Sequence, residues 1–172
     1  VEAFGEADYV QALKQRQSGS VGKQAPLSLY VHIPFCESLC YYCACNKIIT
    51  KDHARADSYV DTLLRELAMK AALVKGSREV AQLHLGGGTP TFLNDAQMTR
   101  LFEGLRSHFR IADSAQCSIE MDPRGVSAAR VAHLGSLGFN RISIGVQDFD
   151  PVVQRAVNRV QSVEETEVVL RA

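Results

Sequence analysis

The chain has 172 residues, with 19 Lys and Arg against 19 Asp and Glu, so its formal net charge is zero. Hydrophobic residues make up 46% of it. A compact fold of this size buries roughly 70% of the surface its unfolded chain exposes, which excludes disorder over most of the length. Balanced charge argues against a nucleic-acid or anionic-membrane partner, because phosphate affinity comes from clustered Lys and Arg. No apolar run approaches the ~20 residues of a membrane span, and the opening VEAFGEADYV has neither the basic head nor the apolar stretch of a signal peptide. The expectation is a soluble, cytoplasmic protein. Val1 in place of Met, and a helical pattern still running at Ala172, are expected of a piece of a longer protein.

Residues 1–26 read as an N-terminal arm and linker: Tyr9, Val10 and Leu13 offer a short helix, and Ser18-Gly19-Ser20-Val21-Gly22 is linker-like. From residue 27 to 172 one domain is expected, built of four strand–helix units. The first strand is Leu27 to Ile33, followed by a long Cys-bearing loop. A helix near Asp57 to Val74 then sets Tyr59, Leu63, Leu67 and Val74 on one stripe. The second strand, Val80 to Leu85, ends in Gly86-Gly87-Gly88-Thr89-Pro90. Asn94 and Gln97 form a capping-box pattern that opens a helix with Met98, Leu101, Leu105 and Phe109 inward. The third strand is Gln116 to Asp122 and its helix spans about Ser127 to Leu137, with Gly138 as the C′ residue. The fourth strand is Arg141 to Gln147. Asp150-Pro151 is a cap followed by Pro at the first helical position, and Ser162 with Glu165 offers another capping box.

Strands alternating with helices predict a parallel sheet. Parallel strands covered on both faces read as continuous apolar runs, and these do not. Leu29, Val31 and Ile33 alternate with Tyr30 and His32; Leu83 and Leu85 alternate with Gln82 and His84. Cys117, Ile119 and Met121 alternate with Ser118, Glu120 and Asp122; Ile142, Ile144 and Val146 alternate with Ser143, Gly145 and Gln147. One face belongs under helices. The other is polar, as in a curved or barrel-like sheet whose inner face lines a ligand cavity; a half-exposed sheet wetted by solvent is the plainer alternative. Ligands in α/β folds sit beyond the carboxyl ends of the strands, and those ends carry Pro34-Phe35-Cys36, Gly86 to Pro90, Asp122-Pro123-Arg124 and Gln147-Asp148.

Four of the cysteines, Cys36, Cys40, Cys43 and Cys45, fall in one short stretch as C-x3-C-x2-C-x-C. Without an export signal, disulfides are disfavoured and metal binding is the better reading. Structural zinc sites usually draw ligand pairs from separated stretches; His84 or Cys117 are the distant donors that a zinc site would need. An iron–sulfur cluster accounts for the loop better, because soft thiolates suit it and tight spacing wraps a compact cube, with Phe35, Tyr41 and Tyr42 to exclude water. If only Cys36, Cys40 and Cys43 ligate, one iron stays open for another molecule; on chemistry alone Cys45 is ambiguous, since it could be a fourth ligand. Cys117, on the apolar face of the third strand, reads as a buried small hydrophobe.

C-x3-C-x2-C after a first strand, with a glycine-rich turn after the second, resembles the radical S-adenosylmethionine (SAM) superfamily. The strings LSLYVHIPFC, LCYYCACNKI, QLHLGGGTPTFL, SIEMDPR, GFNRISIGVQDF and VQRAVNR resemble, more narrowly, the family of oxygen-independent coproporphyrinogen III oxidases. The likeness covers about residues 27 to 161. It implies an α/β fold, a partial (β/α) barrel of the radical SAM type, with four parallel strand–helix units in this chain and a polar inner strand face. The superfamily core commonly has six such units, and a complete eight-unit barrel needs ~250 residues.

The resemblance further implies that Cys36, Cys40 and Cys43 hold a 4Fe–4S cluster whose open iron is chelated by SAM. Tyr30, Gly87 and Glu120 would contact that SAM. A second SAM would meet Tyr42, Gly88, Thr89, Gln147 and Arg159. The implied activity is anaerobic oxidative decarboxylation of two propionate groups of coproporphyrinogen III to vinyl groups, through a 5′-deoxyadenosyl radical and with an external electron donor. No side chain is assigned a catalytic role. A monomer is expected for the full-length protein, with no nucleic acid or membrane partner. Related haem chaperones and haem-degrading enzymes are the alternatives; they typically lack a cysteine at the position of Cys45. A zinc-stabilised interaction module is a third.

Overall fold

A computed structural model describes residues 3–17 and 25–172; the expected linker at 18–22 lies outside the described residues. The N-terminal segment forms α1 (Glu6–Gln17). Its Leu13 packs against the core, and Lys70 stands over its Tyr9 ring at 4.7 Å.

Four strands, β1 (Leu27–Ile33), β4 (Glu79–Gly87), β5 (Arg110–Met121) and β6 (Arg141–Ile144), form a parallel sheet in the order β1-β4-β5-β6. Between them run α2 (Arg55–Leu73), α3 (Asp95–His108) and α4 (Ala128–Leu137), and after β6 come α5 (Pro151–Ala156) and α6 (Val163–Arg171). The sheet is open, an arc of a barrel. Its apolar face, with Ile33, Leu83, Leu85 and Ile119 all at 1% exposure or less, packs against Val60 of α2, Leu101 and Leu105 of α3 and Leu134 of α4. Each such side chain contributes about 1.5–3 kcal/mol relative to remaining in water.

The predicted caps form. Asn94 and Gln97 make a reciprocal capping box on α3, as Ser162 and Glu165 do on α6. Ser127 caps α4, whose far end closes on Gly138 at φ 108°, and Asp150 accepts from the N–H groups of Val152 and Val153.

These departures from the sequence reading have local causes. Val74 and Phe109, expected on helix stripes, are buried but extended, and they close α2 and α3 as C-caps. β5 begins at Arg110, six residues before the expected Gln116. Its register slips between Val80↔Ile111 and Gln82↔Gln116, so residues 112–115 bulge out and interrupt the alternation. β6 stops at Ile144 instead of running to Gln147, because the next carbonyls are taken by side chains: Arg159 donates to Gly145 O and Gln161 to Val146 O. Ile142, expected under helices, is exposed on this edge strand. Lastly, the loop carrying the cysteines is closed by a short parallel pair, β2 (Phe35–Cys36) and β3 (Ile48–Ile49), too brief to show a period.

Candidate functional site: a cysteine-lined cleft at the strand ends

The pair β2–β3 brings the two ends of the cysteine loop together. Ile48 N donates to Pro34 O at 2.7 Å and Thr50 N to Cys36 O at 2.9 Å. The middle of the loop is held by the segment after α5: Tyr41 N donates to Val157 O at 3.0 Å, and Asn158 Nδ2 to Leu39 O at 2.6 Å. Asn158 sits at φ 54°, a left-handed conformation that Asn tolerates better than most residues. The loop thus lies over the carboxyl ends of β4, β5 and β6.

A cleft of about 1290 Å³ opens there. Cys36, Cys40 and Cys43 line it, together with Tyr42, Gly87, Gly88 and Thr89 from one side and Glu120, Gln147 and Arg159 from the other. Tyr30 is the exception among the expected site residues. It is 60% exposed on the polar face of the sheet, next to the cleft, bonded to His32 Nδ1 at 3.1 Å and stacked on His84. Burial raises its phenol pKa, and the negative charges of Glu120 and Cys45 add to that. The polar face carries a connected set beyond it: His84 meets Ser118 Oγ at 2.7 Å and Glu120 Oε1 at 3.4 Å, and His32 meets Asn46 O at 2.9 Å.

The glycine turn is shaped by close approach. Gly87 has φ 120°, and a Cβ there would lie 2.7 Å from the His32 ring and 2.9 Å from Ile33 O. At Gly88 a Cβ would lie 2.7 Å from Pro34 O and 2.8 Å from Phe35 O. The absence of side chains lets this turn run directly beside the strand that leads into Cys36. Gly88 N donates to Ile33 O and Thr89 N to Phe35 O, both at 2.8 Å. Glu120 Oε2 accepts from Gly87 N at 3.2 Å, joining β5 to the same turn.

The sulfurs have distinct surroundings. Thr89 Oγ1 donates to Cys36 Sγ at 3.5 Å, but burial and the neighbouring Cys43, Cys40 and Asp122 still push the Cys36 thiol up. Cys43 is shifted down. Burial opposes this, but hydrogen bonds from the backbone and thiol of Cys45 and the Lys47 ammonium outweigh it. Cys45 moves up chiefly because its thiol is the donor to Cys43. Cys40, buried, receives a guanidinium hydrogen bond from Arg159 Nη1 at 3.6 Å. Cys117 is buried in the core, as expected, and its thiol is pushed up by burial. Of the aromatics expected to shield the loop, only Phe35 is buried; Tyr41 and Tyr42 are exposed.

This donor set fits an iron–sulfur cluster. Four thiols from one loop, Cys36, Cys40, Cys43 and Cys45, share one cleft, and the first three of them already accept hydrogen bonds. Among the described residues no group of three or more His, Cys, Asp or Glu side chains converges on a single metal ion.

Sequence reasoning placed Asp122 and Arg124 at the strand ends without giving them a role. The structure draws them into the site: Asp122 is nearly buried and pairs with Arg124 at 2.6 Å and with Arg159 at 3.2 Å. The hydrogen bond to Asp122 raises the Arg124 pKa, against the opposing effect of burial. Burial of a charged triad was not visible because Arg159, its third member, lies far from Asp122 and Arg124 in the chain.

No helix among the described residues is long and apolar enough to cross a membrane. The model of the family described as the radical SAM superfamily matches residues 30–172. An oxygen-independent coproporphyrinogen III oxidase of Escherichia coli K12 is 50% identical over 163 residues, covering 95% of this chain and 34% of the relative. The Pseudomonas aeruginosa protein of the same name is 49% identical over 173 residues, covering 99% and 37%. A solved structure of the Escherichia coli coproporphyrinogen III oxidase, described as a radical SAM enzyme, superposes with a TM-score of 0.89 at 49% identity, covering 98% of this chain and 37% of that one. The chain spans about a third of the length of these relatives. With the parallel arc, the glycine turn and the three-cysteine loop all in the matched region, the chain belongs to the radical SAM superfamily.

Proposed function

We propose that this chain is the first, cluster- and SAM-binding part of the catalytic domain of an oxygen-independent coproporphyrinogen III oxidase, which converts two propionate side chains of coproporphyrinogen III to vinyl groups and gives protoporphyrinogen IX. The observation that carries the reading is the cleft that gathers Cys36, Cys40 and Cys43 beside the glycine turn, within a chain about half identical to two oxidases over almost its whole length.

Cys36, Cys40 and Cys43 would hold the 4Fe–4S cluster, leaving one iron for SAM. The cluster and SAM together supply one-electron reduction and radical abstraction of hydrogen from an unactivated carbon. The protein's part is to bind, orient and exclude water. Glu120, anchored on Gly87 N, presents a carboxylate to a cationic ligand; Gly87 gives that ligand an approach to bare backbone, and Tyr30 borders it on the polar face. Tyr42, Gly88, Thr89, Gln147 and Arg159 line the remainder and would receive a second SAM. Gln147 stands at φ 67°, turned out of the strand direction. The reading carries with it an external electron donor, action as a monomer in the cytoplasm, and no nucleic-acid or membrane partner. Cys45 in the loop favours the oxidase over a haem chaperone.

Anaerobic purification is expected to give iron and sulfide in equal amounts with the broad visible absorption of an iron–sulfur cluster, and Cys40→Ala to abolish that absorption. Zinc in place of iron, or a cluster retained in the variant, would overturn the metal assignment. Full-length protein, reduced and given SAM and coproporphyrinogen III, should release carbon dioxide; an intact cluster without release would overturn the substrate.

A further inference from the structure

Asp122 follows the last residue of β5, and its side chain is 14% exposed. Two guanidinium groups converge on it from different directions. Arg124, two residues on, reaches it with Nε at 3.0 and 3.1 Å and with Nη2 at 2.6 Å. Arg159, 8% exposed, reaches Oδ2 with Nη1 at 3.2 Å. The same nitrogens that meet Asp122 Oδ2 also touch the cysteine loop: Arg159 Nη1 lies 3.6 Å from Cys40 Sγ and Arg124 Nη2 lies 3.5 Å from Ser38 Oγ. Arg159 is anchored as well, with Nε at 3.2 Å and Nη2 at 2.6 Å from Gly145 O.

We propose that Asp122 is a positioning residue for the cysteine loop: through Arg159 and Arg124 it fixes Cys40 and Ser38, and it sets the charge felt at the Cys40 sulfur. One carboxylate shared by two largely buried cations offsets part of their charge, and each cation is rigid enough to bond a second partner because its first is fixed. Asp122 itself touches no thiol. These protein contacts act on the loop in addition to whatever its thiols bind, and the net charge beside Cys40 depends on whether Asp122 and Arg159 are both present. This inference rests on the cluster reading for its redox consequence, but its structural half does not.

The test has two parts, in the full-length protein. The first is hydrogen–deuterium exchange on protein stripped of metal. In Asp122→Asn, exchange of the segment 38–44, which contains the bonded amides of Tyr41 and Cys43, is expected to quicken at least ten-fold, with segment 116–121 of β5 unchanged. Arg159→Gln is expected to do the same, and stands in if Asp122→Asn does not fold. Unchanged exchange in 38–44, or acceleration spread equally into β5, overturns the proposal. The second is the midpoint potential of the reconstituted cluster. Asp122→Asn leaves the Arg159 cation uncompensated and should raise the potential; Arg159→Gln removes the cation and should lower it. A merely loosened loop would move both variants the same way, and that result overturns the charge role. Failure of the unmutated protein to take up iron and sulfide sinks the proposed function instead, and leaves the exchange result standing.

Discussion

Single glycines carry different loads here, and their substitutions separate the loads. At Gly88 an added Cβ would meet backbone oxygens of Pro34 and Phe35, which cannot rotate away. Gly88→Ala should therefore lose about 1–3 kcal/mol, read as a lower denaturant midpoint, and disturb the turn beside Cys36. Gly135 is the contrast. It lies within α4, has nothing within 4 Å of a built Cβ, and lacks a positive φ. Gly135→Ala should gain about 0.5–1 kcal/mol by reducing the entropy lost on folding. If the two variants shift the midpoint in the same direction, the close-approach argument at Gly88 is wrong. The sequence marked the triple glycine as special, but the atoms that Gly88 avoids come from the other side of the turn and only folding brings them there.

Among the elements, the two capping boxes look alike in sequence and differ in consequence. On α6 the box of Ser162 and Glu165 lies at the surface, where water can replace a lost bond. On α3, Gln97 is 4% exposed; besides accepting from Asn94 N it donates from Nε2 to Asp57 Oδ1 at 3.0 Å, so one side chain both caps α3 and ties it to α2. Gln97→Ala should cost about 1–3 kcal/mol, because a buried donor partner is lost together with the cap. Glu165→Ala should cost about 0.5 kcal/mol or less, near the ordinary surface value. Thermal unfolding of the two variants checks the difference. The strands tell a similar story. Alternation located β1 and β4 to within a residue or two, but not the start of β5, where the bulge at residues 112–115 breaks the period, nor the end of β6, where Arg159 and Gln161 occupy the carbonyls a longer strand would use.

At the scale of the molecule, the cysteine loop is gripped from both sides before any metal is considered: β2 pairs with β3 at its ends, and residues 157–159 hold its middle. Small metal domains unfold when stripped because the metal supplies most of their folding free energy. Here most of the core under the sheet lies outside the loop, which contributes Phe35 at its start. Chelation is expected to leave the far-ultraviolet circular dichroism nearly unchanged, while exchange protection falls only in the loop; collapse of the spectrum on chelation would contradict that picture. The open edge at β6, with Ile142 exposed and the polar sheet face wet at Tyr30, leaves this part of the fold an arc instead of a closed wall.

Local order along the chain was enough to specify the parallel α/β class, the capped helices, the apolar and polar faces of the strands, and the loop of closely spaced thiols. Each of these is a periodicity or a short motif, and its physics acts between residues a few positions apart. Tertiary structure alone decided that Tyr30 stands beside the cleft instead of lining it, that Ser38 is reached by a guanidinium 86 positions later, and that Cys40 is met by one 119 positions later. Such contacts leave no period to read. They exist because the strand ends and the loop are folded onto one another, and the charge of a buried carboxylate finds its partners only once water has been excluded from between them.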